Sequence, residues 1–178
     1  MVISKLPMPE LNNQNFNHLK IHTQYSICEG AIKIDNLKDF CKENKIPCLG
    51  LSDTSNLCGA LEFAENISKV GTQPIIGTQI YFRFEDTTGL LPLIALNEKG
   101  YKRIIELSSR SYLENDALSD PHLDIKELLI DTEGVSLLSG TIQGLFGKLF
   151  EKGRLDEISK LYKSLSSKFN DNFYLEIQ

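Results

Sequence analysis

Apolar residues in this chain fall into two patterns: short unbroken or alternating runs, and longer stretches in which they recur every three or four positions. The runs predict strands over 17–21, 47–51, 73–84, 90–96, 134–138 and 173–177. The run 47–51 is continuously apolar, as suits a strand covered on both faces. The helical spacing predicts helices over 35–44, 57–70, 98–113, 125–130, 142–150 and 155–169. Asp35 is the expected N-cap of the first, with Leu37, Phe40 and Cys41 on one face. In the second, Leu57, Leu61, Ala64 and Ile67 are expected to face the sheet, and Gly71 to stop the helix. Residues 85–89 read as a hairpin loop between two long strands.

Strands alternating with helices of this length make βα units, so an α/β fold is expected. Residues 1–15 form a polar leader, and residues 16–178 read as one domain without internal repeat, low-complexity tract or linker. An apolar last strand is a pairing hazard unless something covers it, so the expectation is a partial domain, the front of a larger one.

With 41% apolar and 24% charged residues, the chain can bury a core and is not a disordered polymer. Its formal net charge of −5 provides no general field for a phosphate backbone, which argues against autonomous nucleic-acid binding. Neither a signal peptide nor a membrane-length apolar stretch is visible, and a cytoplasmic protein is expected. Cys28, Cys41, Cys48 and Cys58 contain no Cys-x-x-Cys pair, which argues against zinc-knuckle and thioredoxin-type motifs and favours free thiols.

Candidate chemistry gathers at the ends of two predicted strands. In His18-Leu19-Lys20-Ile21-His22, alternate side chains point to one face, so the two histidines could grip one cation were a third ligand between them. That middle position holds Lys20. Leu51-Ser52-Asp53-Thr54 ends the next strand with a carboxylate. Glu62, Glu65 or Glu176 could approach from other elements, and His122 is expected on a surface loop.

Residues 16–26 (Phe-Asn-His-Leu-Lys-Ile-His-Thr-Gln-Tyr-Ser) resemble the opening of the polymerase-and-histidinol-phosphatase (PHP) domain found at the N-terminus of bacterial DNA polymerase III alpha subunits. The similarity continues in the family's order and spacing through 53–63, 73–77, 97–101, 107–113, 137–140 and 173–178. The resemblance implies a distorted (β/α)7 barrel of which this chain supplies the larger part. It also implies a parent protein that extends DNA, with magnesium at a polymerase centre outside this chain.

Members with an intact metal site carry His-Leu-His-x-His, then Thr-Asp-His, then a glutamate after the Ile-Ile-Gly turn. Here Lys20, Thr54 and Gln79 stand at three of those ligand positions, and Glu29 stands where aspartate is usual. A unit positive charge about 4 Å from another costs roughly 4 kcal/mol at an effective dielectric near 20, and about twice that beside a divalent ion. A degenerate site is therefore expected over His18, Lys20, His22, Glu29, Asp53, Thr54 and Gln79, with no metal, no other cofactor and no catalytic residue. Lys20 is expected to stand in for the lost positive charge by pairing with Glu29 or Asp53.

The resemblance implies a scaffold that docks the proofreading exonuclease subunit, with the rest of the alpha subunit as its other partner, DNA met only through the parent and no membrane contact. The alternative is a working metal-dependent phosphoesterase or 3′-5′ exonuclease, in which a cation cluster activates water. A histidinol-phosphate-type phosphatase and a generic nucleic-acid module fit less well.

Overall fold

A computed structural model describes residues 16–116 and 118–177; the proposed leader, residues 1–15, lies outside the described residues. The elements follow in the order α1 (Ile34–Asn44), β1 (Cys48–Thr54), α2 (Ala60–Ser68), β2 (Gln73–Phe84), β3 (Thr87–Ala95), α3 (Glu98–Leu113), β4 (Leu123–Asp124), α4 (Ile125–Ile130), β5 (Val135–Leu138), α5 (Leu145–Glu151), α6 (Leu155–Phe169) and β6 (Phe173–Tyr174). The strands form one mixed sheet in the order β1-β2-β3-β5-β6, with β4 beside the far end of β2.

β1 and β2 run parallel across seven paired residues, with α2 as the crossover between them. β2 and β3 then make an antiparallel hairpin around Glu85 and Asp86, where Glu85 takes a positive φ of 53°. β3 and β5 are antiparallel, and β5 and β6 parallel. Ahead of β1, residues 18–23 lie along its open side, bonded through Gly50 N–H to His18 O, Ile21 N–H to Gly50 O and Ser52 N–H to Ile21 O. Only glycine permits this approach, because a Cβ on residue 50 would sit 2.4 Å from the Leu19 carbonyl oxygen. The two ends of the sheet, residues 18–23 and the chain past β6, meet through Lys20 and Glu176, so the sheet is curled into a partial, distorted barrel.

Two apolar clusters hold the layers. The larger joins Ile80 and Phe82 of β2 and Leu91 and Leu93 of β3 to Ile104 and Leu107 of α3, Leu128 of α4, and Leu161 and Leu165 of α6. The smaller packs Ile34, Leu37 and Cys41 of α1 and Phe63 and Ile67 of α2 onto Leu49 and Leu51 of β1. Leu57 packs against both. Each fully buried side chain of this size contributes about 1.5–3 kcal/mol. All four cysteines are free, and burial pushes the Cys41 thiol up.

Several boundaries differ from expectation. α1 begins one residue early, with Lys33 at the N-cap position and Asp35 inside the first turn, where its charge suits the helix dipole. Phe40 is exposed rather than facing inward. α2 starts at Ala60 and turns Ala60, Phe63 and Ile67 inward, which leaves Leu61 71% exposed. α5 begins only at Leu145, because Gly140 at φ 77° and a turn closed by Gly144 N–H on Thr141 O precede it. The final strand shortens to Phe173–Tyr174, and the first shows one isolated bridge, Ile21 with Leu51. β4 was not anticipated. Among the described residues no helix is long and apolar enough to cross a membrane.

Candidate functional site

β1 delivers Asp53 and Thr54 to its C-terminal end, beside Thr78 and Gln79 of β2 in the parallel register. The turn after residue 23 folds over this end, and its Gly30 passes so close to Thr23 that a Cβ there would lie 2.0 Å from the Thr23 carbonyl oxygen. The Asp53 carboxylate is fully buried and accepts three hydrogen bonds: Thr23 N–H (2.6 Å) and Ser26 Oγ (2.7 Å) to Oδ1, and Thr23 Oγ1 (2.7 Å) to Oδ2. Ser26 Oγ also accepts Thr54 N–H at 3.1 Å. Both carboxylate oxygens are thus turned to the protein's own turn, which Asp53 pins to the strand.

The substituted positions find one another. Gln79 Nε2 donates to Thr54 Oγ1 at 2.8 Å, and Thr54 Oγ1 donates to Glu29 Oε2 in a very short contact. An amide, a hydroxyl and a carboxylate from β2, β1 and the overlying turn form a relay in which each group has a partner. Lys20, expected to pair with Glu29 or Asp53, pairs instead with Glu176, Nζ to Oε1 at 2.5 Å. His22 lies with Nδ1 3.5 Å from Ser26 Oγ. His18 is exposed and meets the Phe16 ring edge-on at 4.8 Å between centroids.

Lys20, His22, Glu29 and Gln79 line a cleft of about 390 Å³ together with Leu90 and the loop Gly140–Gly144. The structure therefore brings Lys20, His22, Glu29, Thr54 and Gln79 to one mouth, seats Asp53 beneath it and leaves His18 outside. Among the described residues no three His, Cys, Asp or Glu side chains converge as a metal-holding group. Glu62 hydrogen-bonds Tyr25 Oη at 2.6 Å, which, with burial, pushes the Tyr25 phenol up. The Tyr81 phenol is also raised, first by burial and then by the negative charges of Glu29 and Asp120. His122 is half-buried, with Nδ1 2.8 Å from Asp120 O.

Sequence reasoning missed Thr23, Ser26 and Ser139, whose hydroxyl accepts Glu176 N–H at 2.9 Å. The only trace of the first two was a pair of hydroxyl residues three apart directly after the His-rich segment.

Residues 18–178 match the PHP domain family, and the chain belongs to it. Its relatives include DNA polymerase III subunit alpha of Caulobacter vibrioides, 37% identical over 180 residues that cover 96% of this chain and 16% of that protein. The subunit alpha of Rickettsia felis is 35% identical over 91% of this chain and 14% of its own length. The chain thus spans about a sixth of the length of these relatives. Among solved structures, a candidate metal-dependent phosphoesterase of Bifidobacterium adolescentis aligns over 85% of this chain and 56% of its own, at 14% identity and a TM-score of 0.44.

Proposed function

We propose that this chain is the N-terminal PHP region of a replicative DNA polymerase alpha subunit, and that it serves as a metal-free scaffold rather than a phosphoesterase. The observation that carries this reading is the relay Gln79–Thr54–Glu29: ligand positions are filled by groups that satisfy each other. Asp53 spends both oxygens on the Thr23–Ser26 turn, and Lys20 sets an ammonium among the remaining donors. Such a donor set does not fit a divalent cation, which needs free carboxylate or neutral imidazole lone pairs converging on one point.

In this reading the domain works in the cytoplasm, in DNA replication. Its partners are the remainder of the alpha subunit and a proofreading exonuclease subunit, and DNA is met only through the parent protein. Nucleotidyl transfer and its magnesium belong to other parts of that parent.

The test is metal stoichiometry by elemental mass spectrometry, on protein purified without chelator and dialysed against zinc and manganese. Near-zero occupancy, with binding of the exonuclease subunit in calorimetry, is expected. One or more tightly held ions together with hydrolysis of single-stranded DNA would instead establish the phosphoesterase reading.

A further inference from the structure

We propose that the Lys20–Glu176 ion pair is a clasp that closes the curled sheet, so that the order of the N-terminal site segment depends on the segment just past β6, 156 residues away. The two edges it joins carry little ladder pairing. Residues 18–23 share one isolated bridge with β1, Ile21 with Leu51, and β6 pairs with β5 over only two residues, Leu137 with Phe173 and Leu138 with Tyr174. Among the described residues no ladder joins one edge to the other.

Both side chains of the pair are less than a fifth exposed, at 18% and 16%. An ion pair so placed is screened little by salt, and loss of one partner leaves a charge in a poorly solvated position. The Glu176 backbone is fixed independently, its N–H held by Ser139 Oγ at 2.9 Å and the neighbouring strand by Ser139 N–H on Tyr174 O at 2.9 Å. On the other side, the Lys20 neighbours Ile21 and Thr23 are fixed to Gly50 and Asp53. The carboxylate is thus presented from a braced backbone to an ammonium on a braced backbone. An apolar pair could match the stability, but only a directional charged pair specifies which residue of one edge meets which residue of the other. The clasp also forms one wall of the cleft at the site, since Lys20 lines it. This inference concerns the fold of the domain and stands apart from its assignment to a polymerase.

The experiment is native-state hydrogen exchange by mass spectrometry on the 178-residue chain and its variants Lys20→Met, Glu176→Gln and the double variant. In Glu176→Gln the amides of the peptide 18–26 are expected to exchange about tenfold faster, while those of the α6 core stay protected. The double variant is expected to exchange more slowly than the two single effects added together, because both substitutions remove the same ion pair. Faster exchange confined to 173–177, or effects that add in the double variant, would overturn the clasp. Should Glu176→Gln fail to fold, Glu176→Asp keeps the charge, retracts it by one methylene and gives the same remote readout in weaker form; no change at 18–26 there counts against the proposal.

Discussion

Asp53 shows how a residue that looks like a ligand becomes a structural acceptor. Its three hydrogen bonds come from Thr23 and Ser26, 30 and 27 residues earlier, and together they fasten the site turn to β1. Asn at this position keeps the shape but presents N–H groups where an oxygen accepted, so a Thr23 or Ser26 donor is left facing a donor. A hydrogen bond to a charged group contributes about 1.5–3 kcal/mol and a buried unsatisfied donor costs about 1–3 kcal/mol, so Asp53→Asn should lower unfolding stability by roughly 3 kcal/mol. Thr54→Val breaks a relay whose far end, Glu29, is exposed, and should cost under about 1 kcal/mol. Urea titrations of the two variants check the order; equal losses would mean that Asp53 is not the centre of the turn. The candidate positions themselves were legible, because strand alternation and motif spacing mark 18, 20, 22, 53, 54 and 79. Their partners were not: a hydroxyl that reaches a carboxylate across 27 residues, or an ammonium that reaches one across 156, leaves no periodic trace.

Among the elements, the hairpin β2–β3 and helices α3 and α6 were readable to within a few residues, since long, strongly patterned segments state their own period. α2 was read with Ile67 correctly inward but with Leu61 on the wrong face. Starting the helix at Leu57 put Leu61 inward, whereas Leu57 precedes the helix and Phe63 fills the space between α1 and β1. The observed phase predicts that Phe63→Ala costs about 3–5 kcal/mol, while Leu61→Ala stays within about 0.5 kcal/mol. Denaturant midpoints at constant slope decide between the phases. β4 escaped because two residues have no period, only a place beside Phe82 and Arg83. Another element-level tie joins the hairpin loop to the start of α6: the Arg154 guanidinium grips Asp86, with Nη2 2.7 Å from Oδ2, and holds its carboxyl at about 2, below the ordinary 3.8. Because the folded value is depressed, the unfolded chain binds this proton more tightly. The contribution is therefore complete above about pH 4 and is lost as pH falls through about 2. An NMR titration should place the Asp86 midpoint near 2, and Arg154→Gln should return it towards 3.8.

At the scale of the molecule, charge sets what this domain can hold by itself. The chain has 19 basic and 24 acidic side chains, and among the described residues several of the cations are tied to carboxylates: Arg110 is shared by Glu106, Glu114 and Glu127, Lys99 by Asp131 and Glu133, and Arg154 by Asp86 and Glu157. Cations already engaged in this way would have to leave a carboxylate to reach a phosphate, and that exchange gains little. Affinity for a nucleic-acid backbone comes from counterions released as free Lys and Arg neutralise phosphates, and it falls steeply with salt. The domain should accordingly show no rise in fluorescence anisotropy of a labelled single-stranded or duplex oligonucleotide at 0.15 M salt, up to protein concentrations of about 10 µM, the middle of the ordinary range of non-specific binding. Saturable binding below about 1 µM would mean that a basic track exists which these ion pairs do not reveal. It would also remove the reason for assigning DNA contact to other parts of a parent polymerase rather than to this domain.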